Sequence, residues 1–314
     1  MKKIKSIDLF AGCGGLMDGF EQSGHFDTVA AVEWEKAPCR NLEIRLRDKW
    51  KYNDADRRVL RFDIQRTDEL FQGWNDDSEY GSSIGLDELI KEVKGIDVII
   101  GGPPCQAYSI AGRVRDENGM KDDYRNFLFE SYIKVLKRYK PKMFIFENVP
   151  GILSAKPTGK PIIEVIRQSF NEAGYYLLSD LAKAIIDFTD YGVPQNRKRI
   201  IIFGVDTEYF GEKSEEIVDL FYNKYLPEYK VRDKKTVYEA IGDLPKLYPE
   251  KETLKVNGVR TRHSLPIPKV ENHIARWQSD RDIGIFKLLA EDIESGKNQY
   301  TSIKIIYRGY RERI

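Results

Sequence analysis

At 314 residues, 41% hydrophobic and 32% charged, the chain carries enough apolar side chains for one large core, alone or with a small second lobe. Its 51 basic and 50 acidic side chains nearly cancel, so no global field marks a nucleic-acid partner and any such site must be a local patch. The start MKKIKSIDLF reaches an acid too soon for a signal peptide and no apolar run approaches the ~20 residues that cross a bilayer, so a cytoplasmic protein with no membrane partner is expected.

The first predicted strand, IKSIDLF (residues 4–10), runs into DLFAGCGGLMDGF (8–20), where Gly12, Gly14 and Gly15 separate it from a helix. Such a turn lets backbone approach a ligand closely and aims a helix N-terminus at it. The spacing G-C-G-G-L-M misplaces the third glycine of a dinucleotide fingerprint, which disfavours pyrophosphate and, with it, a nicotinamide oxidoreductase. A second strand, TVAAV (28–32), ends at Glu33, an acid placed to accept hydrogen bonds from ribose hydroxyls, and RFDI (61–64) offers Asp63 to an adenine amino group. A ligand with adenosine but no pyrophosphate points to S-adenosylmethionine. Plain tight turns and surface acids are the competing reading of the same residues.

The polar stretch QGWNDDSEYGSS (72–83) reads as an insertion. A third strand, IDVIIG (96–101), then delivers GGPPCQAYS, which holds Cys105 in a loop behind two prolines. The prolines fix φ and remove two donors, so the approach to Cys105 is stiff, as a positioned nucleophile requires. By itself a loop cysteine is more often inert. Cys13, Cys39 and Cys105 have no CxxC spacing and the three histidines lie apart from them, so neither a disulfide framework nor a structural zinc site is expected.

The charged segment VRDENGMKDDYRN (114–126) is followed by FLFESYIKVLKRYK (127–140) at helical spacing and by the strand KMFIFE (142–147), which leaves Glu147 at its end. A second helix, PIIEVIRQSFNEAGY (161–175), precedes QNRKR and the strand RIIIFGV (199–205). Glu147 is placed as a general acid, and Arg197 and Arg199, on alternate positions, point to one side. The alternation predicts an α/β fold with a mostly parallel sheet flanked by helices, its cysteine, acid and arginines near strand ends where open sheets bind ligands. Beyond residue 210 the pattern weakens. Residues 211–271 read as a linker or excursion, and residues 272–314 as a helix (282–296) with a basic-aromatic tail.

In this order, DLFAGCGG, GGPPCQAYS, FENV and QNRKR resemble the catalytic motifs of the C5-cytosine DNA methyltransferases. The resemblance implies a Rossmann-like S-adenosylmethionine-dependent methyltransferase fold over residues 1–210 and methylation of a flipped cytosine in double-stranded DNA through a covalent Cys105 adduct, in a prokaryotic restriction–modification system. It assigns Glu147 to the N3 and amino edge of the base, Arg199 to O2, and Arg197 to the loop and phosphates. Toward the cofactor it assigns Phe10 and Trp34 to the adenine, Glu33 to the ribose, Asp63 to the adenine amino group and Gly12 and Gly14 to the methionine end, with Ile64 and Pro103 in the same site. Gln106, Ser109, Arg113 and Arg115 fall to the DNA, and residues 114–126 to a closing catalytic loop.

The family continues through a target-recognition region to motifs of the kinds RxLTxxExxRLQ and GNxVxP, and neither occurs here. The expectation is therefore a catalytic half, split or truncated, that takes recognition and closing motifs from a second polypeptide, with residues 272–314 leading into the absent region. Two alternatives stand beside it. A tRNA cytosine-5 methyltransferase is opposed by the intact QNRKR and the lack of a CFT insertion. A catalytically idle DNA- or partner-binding subunit is opposed by the joint presence of Cys105, Glu147 and Arg199.

Overall fold

The β-branched runs become the central strands β1 (Ile4–Leu9), β2 (Phe26–Glu33) and β3 (Val59–Arg61), then, beyond a small hairpin of β4 (Gly73–Asp77) and β5 (Gly81–Ile84), β6 (Val98–Gly101) and β7 (Met143–Asn148). The chain goes on through β8 (Tyr175–Leu177), β9 (Ile185–Asp187) and the long β10 (Lys198–Asp206) to a last hairpin, β11 (Pro249–Val256) and β12 (Val259–His263). The computed structural model describes residues 2–104, 128–157, 159–256, 258–301 and 303–311. They form two compact units, Met1–Lys235 and Thr236–Ile314.

In the first unit the sheet order is β3-β2-β1-β6-β7-β10-β8, with β9 also beside β10. Neighbours from β3 to β7 are parallel, whereas β10 runs antiparallel to β7, β8 and β9. Parallel neighbours need crossovers, which the helix Gly15–Gln22 supplies between β1 and β2 and the helix Leu128–Tyr139 on the way from β6 to β7. Alternation along β2 sends Ala30 and Val32 into the larger apolar cluster and Ala31 into a smaller one with Met17, Leu42 and Leu46, so both faces are covered. This is the expected α/β architecture.

The antiparallel course of β10 positions the site. Its register sets Ile201 beside Glu147 and Ile200 beside Asn148, which brings the start of β10 to the edge where β6 and β7 end. Residues that precede one strand and end another thus share one rim.

The division of the chain differs from the expected boundary at residue 210. Residues 211–235 are not a linker: Val218 and Tyr222 are in the core of the first unit. On its outer edge β10 pairs with β9 through Lys198–Ile200 and with β8 through Gly204–Asp206, which leaves a gap between. There the Tyr222 hydroxyl accepts from the Phe203 amide at 2.8 Å and donates to the Ile201 carbonyl at 2.7 Å, standing in for a strand neighbour. The stretch 72–83 is likewise more than a polar insertion, since it builds the β4–β5 hairpin and buries Trp74.

The second unit holds a short helix, Val237–Ile241, the β11–β12 hairpin, and the helices Asp280–Glu294 and Ile303–Arg311, which are joined through Ile285, Leu288 and Ile306. Between the helices the Tyr300 amide donates to the buried Asp292 carboxylate at 3.0 Å. Among the described residues no helix is long and apolar enough to cross a membrane.

Candidate active site

Two features meet at the rim of the sheet. One is a cavity of about 490 Å³, within the range of sites for small ligands, lined by residues that follow β1, β2, β3 and β6. Phe10, Gly12, Glu33, Trp34, Asp63 and Ile64, all expected at the cofactor, line it together. Phe10 is held at φ +57°, a conformation an aromatic residue rarely adopts, and Trp34 is 50% exposed at the cavity. An aromatic ring so exposed offers a face to a flat ligand.

Glu33 does more than face the cavity. Its Oε2 accepts the Gly12 amide at 2.8 Å, while Oε1 accepts the amides of Trp34 and Glu35, each at 2.9 Å. The carboxylate therefore ties the glycine turn to the turn after β2. With about four lone-pair sites on a carboxylate and three amides on them, it retains room for about one further donor, one hydroxyl rather than two. Asp63 accepts the Gln65 amide at 2.9 Å, which shapes the turn that presents it.

Two expected members stand apart from the lining. Gly14, at φ +81°, precedes the helix Gly15–Gln22, and a Cβ there would lie 2.5 Å from Leu42 Cδ2; close packing and a left-handed backbone explain this glycine. Pro103 is not among the lining residues, whereas its neighbours Gly102 and Pro104 are. The Pro103 carbonyl instead accepts from Asn148 Nδ2 at 3.3 Å.

The second feature is a carboxylate met at one oxygen by two guanidinium groups. Arg199 Nε lies 2.9 Å and Arg197 Nη2 3.5 Å from Glu147 Oε1, so the alternate arginines do turn to one side. Glu147 and Arg199 are each about four-fifths buried, where such a pair is screened less than at the surface. The other oxygen, Glu147 Oε2, lies 2.9 Å from where a Cβ on Gly102 would stand, so a larger residue there would have to displace that carboxylate oxygen. Cys105 itself, with Gln106, Ser109, Arg113, Arg115 and the expected closing loop 114–126, lies outside the described residues.

Sequence reasoning missed Gly102, Asn148, Phe62 and Leu128. The first two sit inside the quoted motifs, and their signal was a second glycine in GGPPC and the buried amide of FENV. Asn148 is 1% exposed and spans two strand ends, donating to Pro103 while its own Oδ1 accepts the Val149 amide at 2.9 Å. Cys39, 3% exposed, is no rival nucleophile: burial pushes its thiol up to about 12.

Comparison with known proteins places this geometry in a family. The chain is similar to the Type II methyltransferase M.Bpa9945I of Bacillus paralicheniformis, 33% identical over 344 residues that cover 93% of this chain and 75% of the relative. It is also similar to M.AquIA of Picosynechococcus, 32% identical over 78% of this chain and 90% of the relative. It spans only about half the length of several other curated relatives, 57%, 48% and 52% in three of them. A solved structure from Escherichia coli, described as a DNA modification methyltransferase encoded within a prophage, shares the fold at 24% identity and a TM-score of 0.53, over 90% of this chain and 64% of that one. The profile described as C-5 cytosine-specific DNA methylase matches residues 4–313, and the chain belongs to that family.

Proposed function

We propose that the chain is the catalytic part of a DNA (cytosine-5-)-methyltransferase that uses S-adenosylmethionine and serves a restriction–modification system. The observation that carries this reading is the Glu147–Arg199 pair, set against Gly102 on the strand that leads to Cys105 and beside a cavity suited to adenosine. When bound, S-adenosylmethionine supplies an electrophilic methyl group. Phe10 and Trp34 hold its adenine, Asp63 the purine amino group and Glu33 one ribose hydroxyl.

Cytosine C5 is a poor nucleophile, and the remaining residues remedy that. The Cys105 thiolate forms a bond to C6, and the electron pair of the C5–C6 double bond moves to make C5 nucleophilic. Glu147 holds the N3 and amino edge and supports protonation at N3, while Arg199 donates to O2, where charge also gathers. Arg197, 3.5 Å from the same oxygen that Arg199 meets, steadies the carboxylate with it. After C5 is methylated its proton passes to a base, the C5–C6 double bond re-forms, and Cys105 departs as thiolate. These atoms are out of reach within a duplex, so the base is flipped out of the stack.

The test is methyl transfer from labelled S-adenosylmethionine to duplex DNA, with tRNA as control, for the wild type and Cys105→Ser, each with and without cell extract. Transfer to DNA by the wild type, its loss in the serine variant with cofactor binding retained, and a stable adduct with 5-fluorocytosine DNA are expected. Transfer at a near wild-type rate by Cys105→Ser would refute the covalent route.

A further inference from the structure

The β4–β5 hairpin stands directly behind the cavity wall formed by Phe62, Asp63 and Ile64. Phe62 lines the cavity yet is only 1% exposed, so its position is set by what lies behind it. That is Trp74 of β4, 5% exposed and stacked on Phe62 with ring centroids 3.9 Å apart and planes 22° apart. Tyr80 meets the Phe62 ring at 5.0 Å, inclined by 62°. The Arg66 guanidinium lies 4.6 Å from the Phe62 centroid and reaches back to Asp77 of the hairpin at 2.7 Å. Arg61, on the other side, sits 5.1 Å from the Tyr80 ring and donates to the Glu79 carbonyl at 2.7 Å. Aromatic stacking and guanidinium–ring contacts thus lock the hairpin to residues 61–66, the segment that carries Asp63.

We propose that Trp74 is a positioning residue for the cofactor: its indole fixes the depth of Phe62 in the cavity and thereby the place of the Asp63 carboxylate that reads the purine amino group. The inference rests on the S-adenosylmethionine reading above. The Trp74 indole N–H is buried without a hydrogen-bond partner among the described residues, so no polar contact explains the choice of tryptophan. What the side chain contributes is a broad ring, and phenylalanine supplies part of one.

Calorimetry with S-adenosylhomocysteine and with its deaminated analogue, in which a ring carbonyl replaces the amino group, tests this in the intact chain. A site built to bond an amino group rejects an analogue that lacks it, so the wild type binds S-adenosylhomocysteine at least about tenfold more tightly. Trp74→Leu, which keeps an apolar side chain but removes the ring, is expected to weaken S-adenosylhomocysteine about tenfold and bring the ratio of the two affinities near one. Trp74→Phe restores most of both. Arg66→Met, at a half-buried position outside the apolar core, shows a smaller loss in the same ratio should the leucine variant not fold. A destabilised scaffold alone does not narrow that ratio. Trp74→Leu and Arg66→Met with wild-type affinity and wild-type discrimination would overturn the inference alone, whereas a wild type that binds neither ligand would overturn the cofactor reading and this inference with it.

Discussion

Replacing Asp8 by asparagine isolates the effect of a single proton. The Asp8 carboxyl is 1% exposed on β1; Oδ2 accepts the Met17 amide at 3.2 Å, and Oδ1 has no hydrogen-bond partner among the described residues. Burial, opposed by that amide and reinforced by the charge of Glu33, raises its pKa from 3.8 to about 8. Between those values the folded chain keeps a proton that the unfolded chain has released. Stability from this group is therefore complete below the lower value and declines as pH rises, by about 1.4 kcal/mol per pH unit, until the folded value is passed. From pH 5 to pH 8 the loss comes to about 3–4 kcal/mol. Asparagine keeps an acceptor for the Met17 amide and places an N–H where the protonated acid places its O–H, so the pH-independent change stays within about 1–2 kcal/mol. Urea unfolding of both proteins at intervals from pH 5 to 8.5 is the assay, because other titrations cancel in the difference. The difference should move in favour of Asp8→Asn by about 1.4 kcal/mol per pH unit and level off above about pH 8. Stability curves that run parallel across this range would refute the reasoning and make Asp8 an ordinary acid.

Glu33→Ala should weaken S-adenosylmethionine by about 1–3 kcal/mol and also loosen the apo glycine turn, because three amides lose their acceptor; calorimetry reads the first effect and exchange of the Gly12 amide the second. Gly102→Ala is expected to leave folding stability within about 1 kcal/mol, since its Cβ meets the movable end of Glu147, yet to lower methyl transfer by displacing that carboxylate; unchanged transfer would show that the close approach of Gly102 does not position Glu147. Tyr222→Phe should cost about 1–3 kcal/mol in urea unfolding, the cost of stranding the Phe203 amide on the open edge of β10.

The residues proposed to carry the chemistry were legible because each stands where a strand meets a loop and follows from a local pattern. Glu33 and Glu147 end apolar runs, Asp63 follows one, and Arg197 and Arg199 open another. What was not legible is how these ends find one another. QNRKR and FENV lie about fifty residues apart, and nothing in either announces that β10 turns antiparallel, although only that course brings a strand start beside a strand end. The same holds for Tyr222, whose value depends on a gap between β8 and β9 that no local pattern records.

A second kind of illegibility concerns residues whose role is to stand behind another. Trp74 lies in a stretch of asparagine, aspartate, glycine and serine, and such composition reads as surface. Its burial depends on Phe62, which itself belongs to a strand-end segment already credited to Asp63. Gly102 is similar, for the second glycine of GGPPC looks like turn chemistry until Glu147 Oε2 is found against it. In both cases, on the function proposed above, the motif residue reacts or reads, and a partner distant in sequence determines where it stands. Substitution at Gly102 is therefore expected to change transfer more than stability and Trp74→Leu to change both affinity and stability, whereas Asp8 and Tyr222, which face only the protein, are expected to change stability alone.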